Sequence, residues 1–192
     1  YNTKKPWDTS DPKDPNPRKI MELAENPKIP GYTGQDRPFG MAGSDDMQKL
    51  FVGTVPKNNM FGGVFAVYDL KQHTNPEIYW NLIKDQSIVS LVYKNGIVYG
   101  GTSIVGGMGG IPRAKDAELF GWDVEKKEKL FQIVPVRGKS SITSLLVGPD
   151  GNIWGFANGA LFVFDPRTRR VIYHANLFSN ATGWWIEATM VT

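Results

Sequence analysis

Cysteine is absent from the 192 residues, and only two histidines occur. The first absence excludes a disulfide framework and a thiolate metal site. His73 and His174 stand far apart with no nearby acidic partner, so a surface or structural role is expected for each and no metal is implied. No apolar run approaches the ~18–20 residues needed to cross a bilayer, so no membrane span is expected. A net charge of +3 is small and scattered, with no Lys/Arg stripe, which argues against nucleic acid as a partner. The densest basic cluster, Arg167-Thr168-Arg169-Arg170, falls where a tight hairpin belongs and reads as a solvated turn. No G-x-S-x-G turn is present, so a Ser/His/Asp nucleophile has no support. A signal-peptide pattern is also missing, and the chain opens at Tyr1, which suggests a processed or excised piece of a longer protein. Extracellular or cell-surface placement is the expectation, although lack of cysteine suits cytoplasmic proteins equally well. Asn180-Ala181-Thr182 matches the glycosylation acceptor pattern, a pattern common by chance.

What the chain does have is turns and repetition. It carries 21 Gly, 13 Pro and 41% hydrophobic residues, a composition of many short strands around a core. An aromatic residue followed by Asp occurs at Trp7-Asp8, Tyr68-Asp69, Trp122-Asp123 and Phe164-Asp165. The copies recur every roughly 40 to 60 residues, a period that implies a β-propeller or a similar array. Upstream of the last two copies the same order repeats. Ser87 to Tyr93, the turn Asn95-Gly96 and Ile97 to Thr102 parallel Ser141 to Val147, the turn Asp150-Gly151 and Ile153 to Phe156. Gly-Thr recurs at Gly53-Thr54 and Gly101-Thr102. Each unit therefore predicts four strands, a to d, with c ending at the aromatic-Asp pair. The four aspartates are expected to accept backbone hydrogen bonds in the c–d turns. Asp45-Asp46 and Asp150 read as structural in the a–b turns.

The predicted fold is all-β: three full four-stranded propeller blades with partial blades at both ends. The units run 28–84, 85–136 and 137–178, with a partial blade over 1–27 and the start of another over 179–192. On this reading the segment to Trp7 is a c strand, and Arg18 to Asn26 is a d strand, with a short helix after Pro17 as the alternative. Open terminal blades expose strand edges and invite pairing. The missing surface belongs to further blades of a parent with about six to eight, to a second copy, or to a compact four-blade closure; the first is the expected case.

Insertions concentrate in the b–c and d–a connections, which a propeller places on one face, commonly the binding face. Gly106 to Gly110 is followed by Ile111-Pro112 and so reads as a mobile loop, not a phosphate cradle. The d–a connections offer Gln35-Asp36-Arg37, Lys84-Asp85-Gln86-Ser87, Arg137-Gly138-Lys139-Ser140 and Thr182-Gly183-Trp184-Trp185. From these and the b–c loops come the candidate ligand-binding residues Arg37, Lys57, Asp85, Gln86, Thr102, Arg113, Arg137 and Trp184. Amide, carboxylate and cationic groups would hydrogen-bond a polar ligand, and a tryptophan would stack on a sugar ring.

Asp-Gly-Asn-Ile-Trp-Gly (150–155) and Leu-Phe-Val-Phe-Asp-Pro-Arg-Thr-Arg-Arg-Val (161–171) resemble the YVTN/WD40-like and quinoprotein-like propellers of bacteria. The Gly-His element of WD40 blades is missing, Tyr or Phe replaces Trp in two copies, and no tryptophan-docking pattern is evident. The resemblance thus implies a fold and no cofactor. Similar propellers occur in secreted carbohydrate-active proteins, both as lyases and as non-catalytic modules. The expectation is a non-catalytic module binding a carbohydrate or a protein. The alternative is a fragment of a polysaccharide lyase in which Arg37, Arg113 or Arg137 neutralises a uronate, though no base stands out.

Overall fold

The computed structural model describes residues 2–19, 21–26, 28–72 and 75–178. Twelve strands and no helix occur among them, in three consecutive four-stranded antiparallel sheets. The first holds β1 (Gln35–Gly43), β2 (Lys49–Pro56), β3 (Val64–Asp69) and β4 (Glu77–Trp80). The second holds β5 (Ser87–Lys94), β6 (Ile97–Ser103), β7 (Leu119–Asp123) and β8 (Glu128–Ile133). The third holds β9 (Ile142–Val147), β10 (Ile153–Ala157), β11 (Ala160–Asp165) and β12 (Arg170–Asn176). Each sheet runs in sequence order, so every connection is a simple hairpin. Asn95 and Gly96 adopt φ of 49° and 82°, the geometry that lets a two-residue hairpin follow the strand twist.

The first strands carry the contacts from sheet to sheet: β1 packs on β5, and β5 on β9. The Gly-Thr repeat has its physical reason here. A Cβ on Gly53 would lie 2.5 Å from Ile88 Cγ2, and one on Gly101 would lie 2.6 Å from Ile142 Cγ2. Glycine thus admits the first strand of the following sheet. The Ser90 hydroxyl completes the joint by donating to the Ile142 carbonyl at 2.7 Å.

Two apolar layers fill the space between the sheets. Phe51, Phe65 and Val67 meet Leu91, Val98, Phe120 and Trp122; Phe65 and Phe120 pack edge to face with centroids 6.1 Å apart. Tyr99 and Leu119 meet Ile142, Ile153, Phe162 and Phe164, and Phe131 stacks on Phe164 at 5.1 Å. Strands buried on both faces explain the continuous apolar runs in the sequence.

The amino-terminal segment departs from expectation. Between residues 2 and 26 no strand forms among the described residues; one isolated bridge joins Asp8 to Asn16. Asn16 closes this loop by donating to the carbonyls of Asn2, Lys5 and Pro6. The expected c and d strands are thus corrected to irregular chain. Local turn chemistry wins here: Glu22 accepts from the Ala24 N–H and Asn26 from the Lys28 N–H. Met21, Leu23 and Tyr32 instead lie across the outer face of the first sheet, against Leu50, Val52, Val64, Ala66, Ile78 and Trp80. The Tyr32 hydroxyl donates to the Leu23 carbonyl at 2.6 Å, and burial beside Glu22 pushes its pKa up to about 12. The 179–192 blade start lies outside the described residues.

Candidate functional site

Antiparallel order sends the a–b and c–d turns to one end of the sheets and the b–c and d–a connections to the other. Contacts between neighbouring sheets keep the two ends distinct. At the turn end Lys127 pairs with Glu77 at 2.7 Å, and Arg169 donates to the Leu130 carbonyl at 3.3 Å. At the loop end Asn59 donates to the Met108 carbonyl, Ile104 to Ser140 and Ala117 to Lys139, all by backbone N–H.

Turn-end aspartates behave as local clasps. Asp69 accepts from the N–H groups of Lys71 and Gln72, and Asp123 from those of Glu125 and Lys126. Asp165 accepts from the Arg167 N–H and the Thr168 hydroxyl. These bonds favour the charged form, so the Asp69 and Asp165 carboxyls titrate below the usual carboxylate value. Asp46 and Asp150 do the same in the a–b turns. Even Asp8, outside any sheet, accepts from both the N–H and the hydroxyl of Ser10.

The loop end is held by a different device. Thr102 is fully buried, its hydroxyl 2.5 Å from the Gln86 side-chain oxygen, and it accepts the Glu118 N–H at 2.7 Å. Gln86, also buried, donates to the Asp116 carbonyl and the Glu118 carboxylate. The first sheet repeats this clasp with Gln35, Thr54 and the Val64 N–H. In the third sheet Asn158 takes over, accepting from the Ser140 hydroxyl and the Ser141 N–H. Gln86 and Thr102, expected from sequence to contact a ligand, are buried here and serve the framework: each spends polar atoms on the other and on the chain leading into β7. Polarity in a connection had pointed to solvent, but burial with full hydrogen bonding is the equally valid outcome.

The glycine-rich loop is likewise corrected from mobile to packed. Gly107 donates to the Met60 carbonyl, and its own Cβ would fall 1.8 Å from the Lys57 carbonyl oxygen. Backbone lies on backbone at a distance only glycine permits.

The remaining candidates separate into groups. Arg113 lies over the Phe61 ring at 4.5 Å and 3.5 Å from Asp85. Asp85 sits at φ 58°, and its N–H donates to the Asn81 side-chain oxygen at 2.7 Å. The same connection then reaches the third sheet, where Asp116 accepts the Gly138 N–H at 2.5 Å. Arg137 is exposed beside it, in a cleft of about 510 Å³ between the 134–141 connection and β12. Arg37 is displaced from this group. Its residues Gln35 to Arg37 belong to β1, not to a connection, because pairing with Pro56 and Val55 continues through a bulge. Its guanidinium pairs with Asp36 at 2.5 Å and lines an apolar cleft of about 310 Å³ beneath Met21 and Leu23. Lys57 faces the same segment, 3.6 Å from Glu25. Trp184 lies outside the described residues, as does His73.

His174 was not a sequence candidate for the loop end, yet it lines the Arg137 cleft together with Lys139. The signal that could have found it is strand pairing: β12 runs antiparallel to β11, so its last residues return to the loop end. Lys84, Lys115 and Arg137 make no ion pair among the described residues, leaving this end with uncommitted positive charge. Among the described residues no helix is long and apolar enough to cross a membrane. No protein-family model and no curated protein matches the chain.

Proposed function

We propose that these sheets are blades of a β-propeller of the YVTN/WD40-like kind, and that the chain serves as a binding module of a secreted or surface bacterial protein. Its ligand is an oligosaccharide taken at the loop end. Three sheets spreading from adjacent first strands support the propeller reading. The observation that carries the binding reading is the inequality of the two ends. Turn-end carboxylates are consumed by their own turns, whereas the loop end presents exposed Lys84, Arg113, Lys115 and Arg137 on interlocked connections. Such a rigid rim with free donors suits hydroxyl and carboxylate recognition. Binding is preferred to catalysis because each acid there is engaged: Asp85 by Arg113, Asp116 by Gly138 and Glu118 by Gln86. Each of these carboxylates already has a structural partner, whereas a general base must be aimed at the proton it abstracts.

A glycan array on the purified chain tests this. The expected result is retention of at least one oligosaccharide, weakened by Arg113→Ala or Arg137→Ala and unchanged by Arg167→Ala at the turn end. Equal loss from both ends, or no retention at all, defeats the reading. Release of an ultraviolet-absorbing unsaturated product from a uronic-acid polymer would replace it with the lyase.

A further inference from the structure

We infer that the cleft between the 134–141 connection and β12 is a subsite for the anionic group of an acidic sugar, a carboxylate or a sulfate ester. This rests on the loop-end reading above and narrows it to a ligand class. Val136 forms a buried side of the cleft, and Arg137, Lys139, His174 and Asn176 supply its polar lining. No carboxylate lines it. Arg137 and His174 have no hydrogen bond or ion pair among the described residues, so their donors are unspent. Lys139 uses one donor on the Asn158 carbonyl at 2.8 Å, which fixes its head group and leaves the others available.

The backbone holds this set in place. The Ala117 N–H donates to the Lys139 carbonyl at 2.7 Å, and Gly138 adopts φ 74° between the two cations. Asp116 is the acid that touches this connection, and its Oδ1 is committed to the Gly138 N–H. His174 comes from the opposite wall, fixed by the pairing of β12 with Phe162 on β11. Three nitrogen-bearing side chains lining one cleft from two elements, without an acid among them, match a group with several acceptor oxygens. A guanidinium binds such a group through two parallel hydrogen bonds. A volume of about 510 Å³ is enough for one or two sugar rings.

The test is an NMR titration of the whole chain with three probes: trigalacturonate, a sulfated chondroitin disaccharide and neutral maltotriose. Saturable amide shifts over 136–139 and 173–176 are expected with an acidic probe and not with maltotriose. Which acidic probe binds more tightly separates carboxylate from sulfate. Arg137→Ala and His174→Gln remove groups with no internal partner, so the fold is retained. Arg137→Ala is expected to weaken binding roughly fivefold to tenfold, the size of one charge-assisted pair, and added salt should weaken it further. Unchanged affinity in both variants overturns the subsite. Maltotriose shifting the loop end alone removes the anion inference and keeps the oligosaccharide reading; silence from all three probes removes both.

Discussion

At the turn end, each connection after a c strand is closed by an aspartate that accepts from residues two or three places ahead. At the loop end, the closing bonds join residues 10 to 32 positions apart, as in Thr54 with Val64 and Gln86 with Thr102 and Glu118. One end is specified by neighbours in sequence, the other by neighbours in space. Local turns form with little entropy to overcome, while the loop end depends on prior pairing of strands. That order leaves the loop end free to vary its surface, provided the buried clasp beneath it is kept.

Breaking the clasp therefore gives the largest expected effect. Thr102→Val keeps shape but strands the Gln86 oxygen and the Glu118 N–H in a dry site. A buried unsatisfied group costs about 1–3 kcal/mol, so the variant is expected to lose roughly 3 kcal/mol by urea unfolding. A loss below about 1 kcal/mol would mean that water replaces the hydroxyl and that the clasp is less dry than its burial implies.

Next in size is Gly107→Ala. Its Cβ meets the Lys57 carbonyl, a backbone atom that cannot rotate away, so the loop must lift from residues 57–61. Overpacking of this kind costs about 1–3 kcal/mol. Hydrogen exchange should show faster loss of protection at Asn59 and Gly107 than at the Asp123 turn. Unaltered exchange at those two amides would return the loop to the mobile class expected from its composition.

The contrast between the ends also decides what the sequence reveals. Asp69, Asp123 and Asp165 were legible because an Asx turn needs only one residue and its immediate followers. Strands β5 to β12 were legible from turns such as Asn95-Gly96 and from apolar runs. The start of β1 was hidden, since Pro38, Gly40 and two register shifts break its alternation. Trp7-Asp8 shows the converse limit. Its aspartate makes the expected turn contact, yet no strand follows, because a strand also needs an edge to pair with. For the site, exposed Arg113 and Arg137 could be placed from the repeat frame. Gln86 and Thr102 could not be told from ligand contacts, as burial of a polar side chain depends on partners distant in sequence. His174 needed the β11–β12 register.

Acid sharpens the comparison with the smallest effect. The Asp46, Asp69, Asp150 and Asp165 carboxyls are held below the ordinary aspartate value by hydrogen bonds from their own turns. A carboxyl depressed in the folded state binds protons more readily when unfolded. Its stabilisation is thus fully present above the unfolded value and is lost as pH falls through the folded one. The Gln35–Thr54 clasp closes without a carboxyl, and in the second sheet the Glu118 carboxylate accepts one Gln86 bond while the Gln86–Thr102 and Thr102–Glu118 N–H bonds involve no titrating group. Between about pH 5 and pH 7 these turns should leave the melting temperature flat, and below the unfolded value it should drop. Asp46 and Asp150 are exposed and Asp69 and Asp165 half-buried at the surface, so the drop is modest and is weakened by salt. Asp165→Asn should make it shallower while lowering the melting temperature at pH 7 by less than Thr102→Val does. At pH 3 the Arg167 and Lys71 amides should lose protection from exchange before those of Glu118 and Val64. Simultaneous loss at both ends would show that the turns and the clasps belong to one cooperative unit, and that the division between local and distant specification ends with folding.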